Sequence, residues 1–384
     1  MPTLPVHPDS PTAPPVADDR THVLGLAVPE LRALLALAGA DQSYRVDQCL
    51  DWLYAKRVDS FDQMLNFPRG VRERLGELAV LYRGTILRES ASSDGTSKLL
   101  VGWPDGGSIE TVWIPDGERH TACLSSQVGC PVGCRFCASG INGVQRNLTT
   151  GEIVEQAQHI RRLIGERGRL SNIVFMGMGE PLANYENVLA AIRVLNAPWG
   201  LGIGARKITV STVGLPKQIR RLAEEDLQLN LALSLHAPDD ELRRELIPWD
   251  VPIDELLDAC RYYFDRTGRE ITFEYVLLHE VNDRPRHADR LAALARRLRA
   301  NVNLLRYNPV EGLPFQRPTA ESAFRFQERL RERGVNAHMR TSRGSDIAAA
   351  CGQLRRTTTA TGTVATTAST SASAAAAAEA PPSE

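Results

Sequence analysis

The sequence predicts an α/β fold in which a parallel sheet, open or closed into a barrel, follows a small helical domain and a short antiparallel meander. Three observations predict it. From residue 150 onward, runs with strand character alternate with stretches of helical periodicity, the pattern of repeated βα units joined by right-handed crossovers. Between 96 and 126 the period falls to two and two Pro-Asp-Gly turns punctuate it, as in a meander of strands. Between about 28 and 80 the period is that of helices.

Taken in order, residues 1–20 are Pro-rich and are expected to be a disordered extension. A helical accessory domain with its linker is expected over 21–95. There Leu31, Leu34 and Leu35 recur at helical spacing, as do Val46, Cys49, Leu50 and Leu53, and a third segment, Val71 to Leu78, follows Pro68. The core is expected over 96–356 and begins with the meander at 96–126: Lys98 to Trp103, Ser108 to Ile114 and Arg119 to Ser125. With Pro115 to Glu118 as a four-residue hairpin loop, Ile114 pairs with Arg119, which sets Glu110 opposite Cys123 on one face. Thr149 and Glu152 form a capping box ahead of Ile153, Ala157, Ile160 and Ile164. Strands follow at Asn172 to Met178, Lys207 to Ser211, Leu229 to His236, Ile271 to His279 and Val302 to Tyr307, separated by helical stretches such as Asn187 to Val194 and Arg290 to Arg299. Residues 357–384 hold one Val, two charges and no aromatic, too little apolar surface to offset ordering entropy, and are expected to be a disordered low-complexity tail.

Composition bounds the function. The chain has 384 residues, 43% hydrophobic and 24% charged, an ordinary globular balance. No apolar run approaches the ~20 residues of a membrane span, and the N-terminus lacks the basic and apolar stretches of a signal peptide, so a cytoplasmic protein is expected. The net charge of −1 argues neither for nor against nucleic acid. Only Lys56, Lys98, Lys207 and Lys217 are lysines among 45 basic residues. The Arg clusters at 296–299 and 325–333 read as solvated helix faces before they read as phosphate contacts.

Seven cysteines are present and four crowd into 123–137, which in a cytosolic chain points to metal or redox chemistry before disulfides. Cys130, Cys134 and Cys137 have the spacing C-x3-C-x2-C. Structural zinc wants four closed ligands, commonly from paired C-x2-C arms, and such a site would need Cys123 as its fourth. Three cysteines on one short loop instead suit three corners of an iron–sulfur cube whose fourth iron stays open. The C-terminal ends of the strands, where a ligand sits in βα folds, carry Gly177-Met178-Gly179-Glu180-Pro181, Ser211, Ser234-Leu235-His236 and Asn308. Cys49 and Cys260 fall on apolar helix faces and are expected to pack there, and His120 and His338 are expected to be structural.

The cysteine triplet, with an aromatic before its last member, resembles the signature of the radical S-adenosylmethionine (SAM) superfamily. A narrower match joins Cys123 to Cys130, Gly143 to Leu148, Met176 to Pro181, Ser234 to Pro238 and Arg343 to Gln353. In that order these segments resemble the RlmN family, adenine-C2 methyltransferases of 23S ribosomal RNA and certain transfer RNAs. The helical segment from Tyr44 to Leu75 also resembles that family's N-terminal, RNA-binding-like domain. The likeness covers about 28–354, and the tail beyond Arg356 has no counterpart in it.

The resemblance implies a partial (β/α) barrel holding one [4Fe-4S] cluster on Cys130, Cys134 and Cys137, with SAM both as methyl donor and as radical source. Gly179, Glu180, Ser211, Ser234, Leu235, His236 and Asn308 match SAM contacts. Cys351 matches a thiolate that takes a methyl group from one SAM before a radical from a second activates it. Cys123 matches the thiol that resolves the protein–RNA adduct by a disulfide with Cys351, and Glu110 matches the proton acceptor. An electron donor such as a flavodoxin system is implied, and a monomer is the default expectation. The sister Cfr-type activity at C8 of the same ribosomal adenine shares the cluster and both cysteines, so the residues leave it open. A non-catalytic zinc or iron–sulfur RNA-binding module would leave Cys351 and the strand-end residues without a role.

Overall fold

The computed structural model describes residues 18–355. The extensions expected at 1–20 and 357–384 lie outside the described residues, apart from 18–20. The helical domain forms as the periodicity predicts: α1 (Val28–Leu37), α2 (Tyr44–Leu50) and α3 (Arg69–Leu78) bury Leu31, Leu34, Leu35, Val46, Cys49, Leu50 and Leu75.

One ten-stranded sheet organises the rest, and neighbours in the sheet are neighbours in sequence. Strands β1 (Thr85–Ala91), β2 (Ser97–Gly102), β3 (Ser108–Asp116) and β4 (Arg119–Cys123) are antiparallel. Strand β4 then pairs in parallel with β5 (Asn172–Phe175), and β6 (Ile208–Thr212), β7 (Asn230–Ser234), β8 (Ile271–Leu277), β9 (Asn301–Arg306) and β10 (Ala337–Arg340) continue in parallel. Each parallel step needs a crossover. These are α4 (Thr150–Ile164), α5 (Tyr185–Asn196), α6 (Pro216–Glu224), α7 (Asp240–Leu246) with α8 (Ile253–Thr267), α9 (Pro285–Leu298) and α10 (Ala320–Glu332). The expected capping box opens α4: Thr149 Oγ1 accepts from Glu152 N at 3.3 Å and Glu152 Oε2 from Thr149 N at 2.8 Å.

Laid flat, β5 and β10 would stand roughly 24 Å apart, yet the C-terminal ends of β5 to β10 line one cavity. The sheet is therefore curled, and it is not closed, because β10 and β1 are both edges. Alternation along β8 shows the two faces. Tyr275 points outward and stacks on Phe326 of α10 at 5.7 Å, whereas Glu274 points into the hollow.

Three expectations need correction. Asp116 pairs with Arg119 and Val112 with Cys123, so the hairpin loop has two residues, and Glu110 lies one diagonal step from Cys123 rather than opposite it. The ladder tolerates Pro115 because its pair with His120 adjoins the closing pair, where an antiparallel ladder asks for no N–H. The linker before the meander contains β1, and the last strand, β10, follows α10 where no strand was read. The arginine runs behave as expected of solvated faces: Arg297 pairs with Asp254 at 2.6 Å, Arg325 with Glu321 at 3.1 Å, and Arg329 and Arg333 share Asp289. Cys49 and Cys260 are buried, and the His120 ring accepts from Trp113 Nε1 at 3.2 Å.

The helical domain docks on α4. Buried Glu155 lies between His22 (3.6 Å) and His159 (3.3 Å) and accepts from Gly84 N at 2.8 Å. Gln158 and Arg161 donate to the carbonyls of Leu53 and Tyr54 at 3.1 and 2.8 Å. At this seam a methyl group on Gly25 would lie 2.8 Å from Gly151 Cα, whereas one on Gly70 in α3 would meet nothing within 4 Å. Gly25→Ala is thus expected to cost about 1–3 kcal/mol and Gly70→Ala to be neutral or slightly stabilising. Urea unfolding of the two variants tests this.

Candidate active site

The hollow of the sheet opens into a cavity of about 1020 Å³, its open mouth included, lined by Cys130, Cys134, Cys137, Gly179, Glu180, Ser211, Ser234, His236 and Cys351. Nine of the thirteen residues singled out from the sequence thus meet in one place. The other four, Leu235, Asn308, Cys123 and Glu110, stand behind its wall.

The cysteine loop is pinned at its neck, where a Cβ on Gly140 would lie 2.7 Å from Gly133 Cα; only glycines let the two backbones cross. Cys130 N donates to Gly143 O at 3.1 Å and Arg135 N to Leu246 O at 2.9 Å. Val132 and Phe136 carry the loop's apolar side against Val213, Leu246 and Leu278. Burial pushes the Cys130 thiol up to about 12 and raises Cys134 and Cys137 as well, so bare thiolates are disfavoured here and bound iron would displace their protons. Arg243, 1% exposed, lies beneath the loop and donates to the carbonyls of Val213 and Val251. Among the described residues no three His, Cys, Asp or Glu side chains converge as the ligands of a single ion do. Three free thiols on an apolar wall, backed by a cation, fit a three-cysteine iron–sulfur cluster.

Opposite the loop, the backbone at Gly179 (φ +102°) runs flush against Ser126 and Gln127, each 2.7 Å from where a Cβ would be. Glu180 is 3% exposed and accepts from Leu182 N at 3.0 Å and Val213 N at 2.9 Å. Burial outweighs these bonds and pushes its carboxyl up to about 7. The Ser211 and Ser234 hydroxyls are 3.2 Å apart. His236 adopts φ +56°, and its Nδ1 accepts from Val276 N at 3.0 Å. Burial, helped by Arg243, lowers the imidazole to about 3, so it is neutral with its proton on Nε2. Leu235 is buried and contributes a backbone bond to Glu274 O. Asn308 donates to Cys351 O at 3.3 Å, while its buried Oδ1 and the Tyr307 hydroxyl have no protein partner among the described residues. Such orphaned polar atoms beside apolar walls fit a ligand with an apolar body and polar groups, as SAM is.

Cys351 is exposed and lines the cavity; crowding by protein atoms raises the thiol, while the Arg340 guanidinium opposes that rise. Cys123 ends β4, 6% exposed, pushed up to about 12 by burial and then by Cys351. All seven cysteines are free, so the disulfide implied between Cys123 and Cys351 is not formed in this state. Glu110 is buried, with Lys98 Nζ 2.8 Å from Oε1 and Arg355 N 3.1 Å from Oε2. The facing charges Glu274 and Arg340 escaped the sequence reading. Arg340 lies 3.6 Å from Glu274 and 3.9 Å from Met176 Sδ; an inward parity in β8 could have flagged Glu274, but Arg340 ends an unread strand.

Residues 124–292 match the Radical SAM superfamily, and residues 21–81 match the ribosomal RNA large subunit methyltransferase N-terminal domain. A protein of Rhodopirellula baltica named "probable dual-specificity RNA methyltransferase RlmN" is 45% identical over 88% of this chain and 91% of its own. One of the same name from Gloeobacter violaceus is 47% identical over 88% and 95%. A crystal structure of a radical SAM methyltransferase from Sphaerobacter thermophilus superposes with a TM-score of 0.84 at 47% identity, covering 87% of this chain and 99% of that one.

The raised Glu180 carboxyl has a stability consequence. Between its ordinary 4.5 and about 7 the folded protein holds a proton that the unfolded chain has lost, so stability falls as pH rises through that window. Glu180→Gln removes this slope. In ligand-free protein the stability of the variant relative to wild type is expected to improve by roughly 3 kcal/mol from pH 4.5 to 7.5, read from denaturant unfolding at both ends; parallel pH profiles would refute it.

Proposed function

The chain belongs to the RlmN family of radical SAM methyltransferases, and from that premise we propose that it methylates C2 of adenine in 23S ribosomal RNA and in transfer RNA, in the cytoplasm and as a monomer, with reducing equivalents from a flavodoxin-type donor. One observation carries the reading: the cluster loop and the Cys351 segment are bonded to each other, Ala138 N donating to Gly352 O at 2.8 Å, so an exposed thiol shares one cavity with three candidate iron ligands.

C2 of adenine is electron-poor and a weak nucleophile, so direct displacement on a sulfonium methyl is unfavourable. A [4Fe-4S] cluster held by Cys130, Cys134 and Cys137 would supply the electron that cleaves SAM homolytically. The chain's own residues do the rest. Glu180 and the carbonyls beside Gly179 receive the methionine ammonium, which also offsets the cost of ionising that buried carboxyl. His236 Nε2–H, Ser211 and Ser234 offer donors and acceptors to the remaining polar groups, and Asn308 acts from behind the wall by holding the Cys351 carbonyl. Cys351, as thiolate, takes the methyl group: its S–C bond forms as the sulfonium S–C bond breaks, releasing S-adenosylhomocysteine. A second SAM cleaved at the cluster would take a hydrogen from that S-methyl group, so that its carbon can bond to C2, and Glu110 takes the proton that C2 loses. Cys123, at the end of β4, then forms an S–S bond to Cys351 as the bond from Cys351 sulfur to that carbon breaks, the carbon gaining a proton. The external reductant reopens the disulfide.

Mass spectrometry of nucleosides tests this on cluster-loaded protein given SAM, a reductant and unmodified ribosomal and transfer RNA under anaerobic conditions. 2-Methyladenosine in both RNAs is expected; 8-methyladenosine would assign the sister regiochemistry, and no methylated adenosine would refute the reading. Cys351→Ala is expected to lower product by roughly a thousandfold or more with the cluster spectrum intact. Cys123→Ala is expected to leave protein covalently on RNA in a denaturing gel.

A further inference from the structure

The segment that carries Cys351 belongs to no strand or α-helix; after a single 3-10 turn at Ser345–Ile347 it runs as turn and coil. No ladder holds it: the cluster loop ties its far end through Ala138 N to Gly352 O at 2.8 Å and Ser139 Oγ to Leu354 O at 2.6 Å, Asn308 donates to Cys351 O at 3.3 Å, and further anchoring comes from the meander. At the segment's outer edge the turn between β1 and β2 contributes two exposed contacts, Ser92 Oγ and Ser93 N donating to Asp346 at 2.6 and 3.1 Å, and a half-buried one, Asp94 Oδ2 accepting from Gly344 N at 2.9 Å. Beneath it lies a different kind of contact. Lys98 on β2 faces Val112 across the ladder, which makes Glu110 its diagonal neighbour on the same face, and the two are 6% and 2% exposed. Lys98 Nζ sits 2.8 Å from Glu110 Oε1 and donates to Ala348 O at 2.9 Å, while Glu110 Oε2 accepts from Arg355 N at 3.1 Å. One buried ion pair therefore grips the backbone on both sides of Cys351.

The ranking of these contacts is physical. Exposed hydrogen bonds exchange with water at little net loss. A buried pair broken from one side leaves an uncompensated charge, and here each partner also satisfies a backbone group of the segment. We propose that Lys98 is a positioning residue: with Glu110 it forms a clamp that fixes where the Cys351 thiol stands over the cavity. This rests on Cys351 being the methyl acceptor of the function proposed above. Lys98 itself does not line the cavity, so it acts on the reaction only through the segment.

The test uses full-length, cluster-loaded protein and two readouts, hydrogen–deuterium exchange of peptides covering 342–355 and the rate at which Cys351 takes a methyl group from SAM. In Lys98→Met, exchange in that segment is expected to rise by roughly tenfold or more while β5 to β8 stay protected. Methyl uptake is expected to slow by roughly a hundredfold, with KM for SAM changed less than about twofold, and Lys98→Arg should recover most of both. Wild-type exchange in the segment of Lys98→Met would overturn the clamp, and so would loosening that spreads evenly over the sheet. Should the lone buried carboxylate prevent Lys98→Met from folding, the double variant Lys98→Met with Glu110→Gln removes both charges and is expected to show the same local exchange. A wild-type protein whose Cys351 takes no methyl would overturn the function proposed above, while the exchange result would still decide the clamp.

Discussion

Charged groups on the concave face of the sheet constrain everything else in this molecule. Glu274 on β8 and Arg340 on β10 face each other 3.6 Å apart across the intervening β9, whose Asn303 donates to Glu274 at 3.0 Å. Barrels that pack their interior fill it with branched apolar side chains in layers. Here the hollow instead carries a carboxylate, a guanidinium and two serine hydroxyls, none of which can be closed over dry without a large desolvation cost. Burial already raises the Glu274 carboxyl against the pull of Arg340. A sheet with such an interior favours staying curled and open, with a hollow suited to a ligand of matching polarity. The cavity, its mouth and the orphaned atoms of Tyr307 and Asn308 follow from that one condition.

The antiparallel meander then has a clear physical task. A parallel βα array presents its reactive edge at the C-terminal ends of the strands, and no element of the array itself covers that edge. Strand β4 joins the two regimes: it pairs antiparallel with β3 and parallel with β5, and Cys123 sits at its last residue, its carbonyl accepting from Thr111 Oγ1 at 2.9 Å. The other strands of the meander extend the sheet sideways beneath the C-terminal segment. Both thiols therefore stand at the seam between meander and array, one on the rigid end of a strand and one on a segment without secondary structure. A strand-end thiol cannot travel; a thiol on an irregular segment can. In the function proposed above, that difference suits a methyl carrier and its resolving partner.

Much of this was legible in the sequence because it rests on local spacing. The cysteine triplet, the Thr149–Glu152 box and the polar strand ends each announce themselves within a few residues, and the structure brings the triplet and most of the strand ends into one cavity. What escaped depends on long-range pairing. Strand β1 is an edge with scarcely a buried residue, so it has no alternation to read, and β10 spans four residues, too short to register as a period. Missing β10 also hid Arg340. The hairpin register slipped by two because Pro115 looked like a turn residue, whereas the ladder places it where its missing N–H is not needed. Parity survived the slip, which is why Glu110 still shares a face with Val112, the true partner of Cys123. Lys98 read only as a strand residue, since its partner is set by the sheet and its grip on Ala348 by a contact 250 residues away.

The clamp also orders the roles of Glu110. While the Cys351 segment is docked, one carboxylate oxygen is occupied by Lys98 and the other by the Arg355 amide, and neither faces the cavity. Glu110 does not line the cavity, so a carboxylate so engaged is poorly placed to reach a base in the hollow. If the segment lifts, the Arg355 amide leaves Oε2 and the Ala348 carbonyl leaves Lys98, and the carboxylate regains an open oxygen one diagonal step, about 7 Å, from Cys123. In the function proposed above, holding the methyl acceptor in place and accepting a proton therefore compete for the same side chain. On the function and the clamp proposed above, Glu110 would become open to the RNA once the segment carrying Cys351 has moved, and one buried ion pair would couple the two half-reactions.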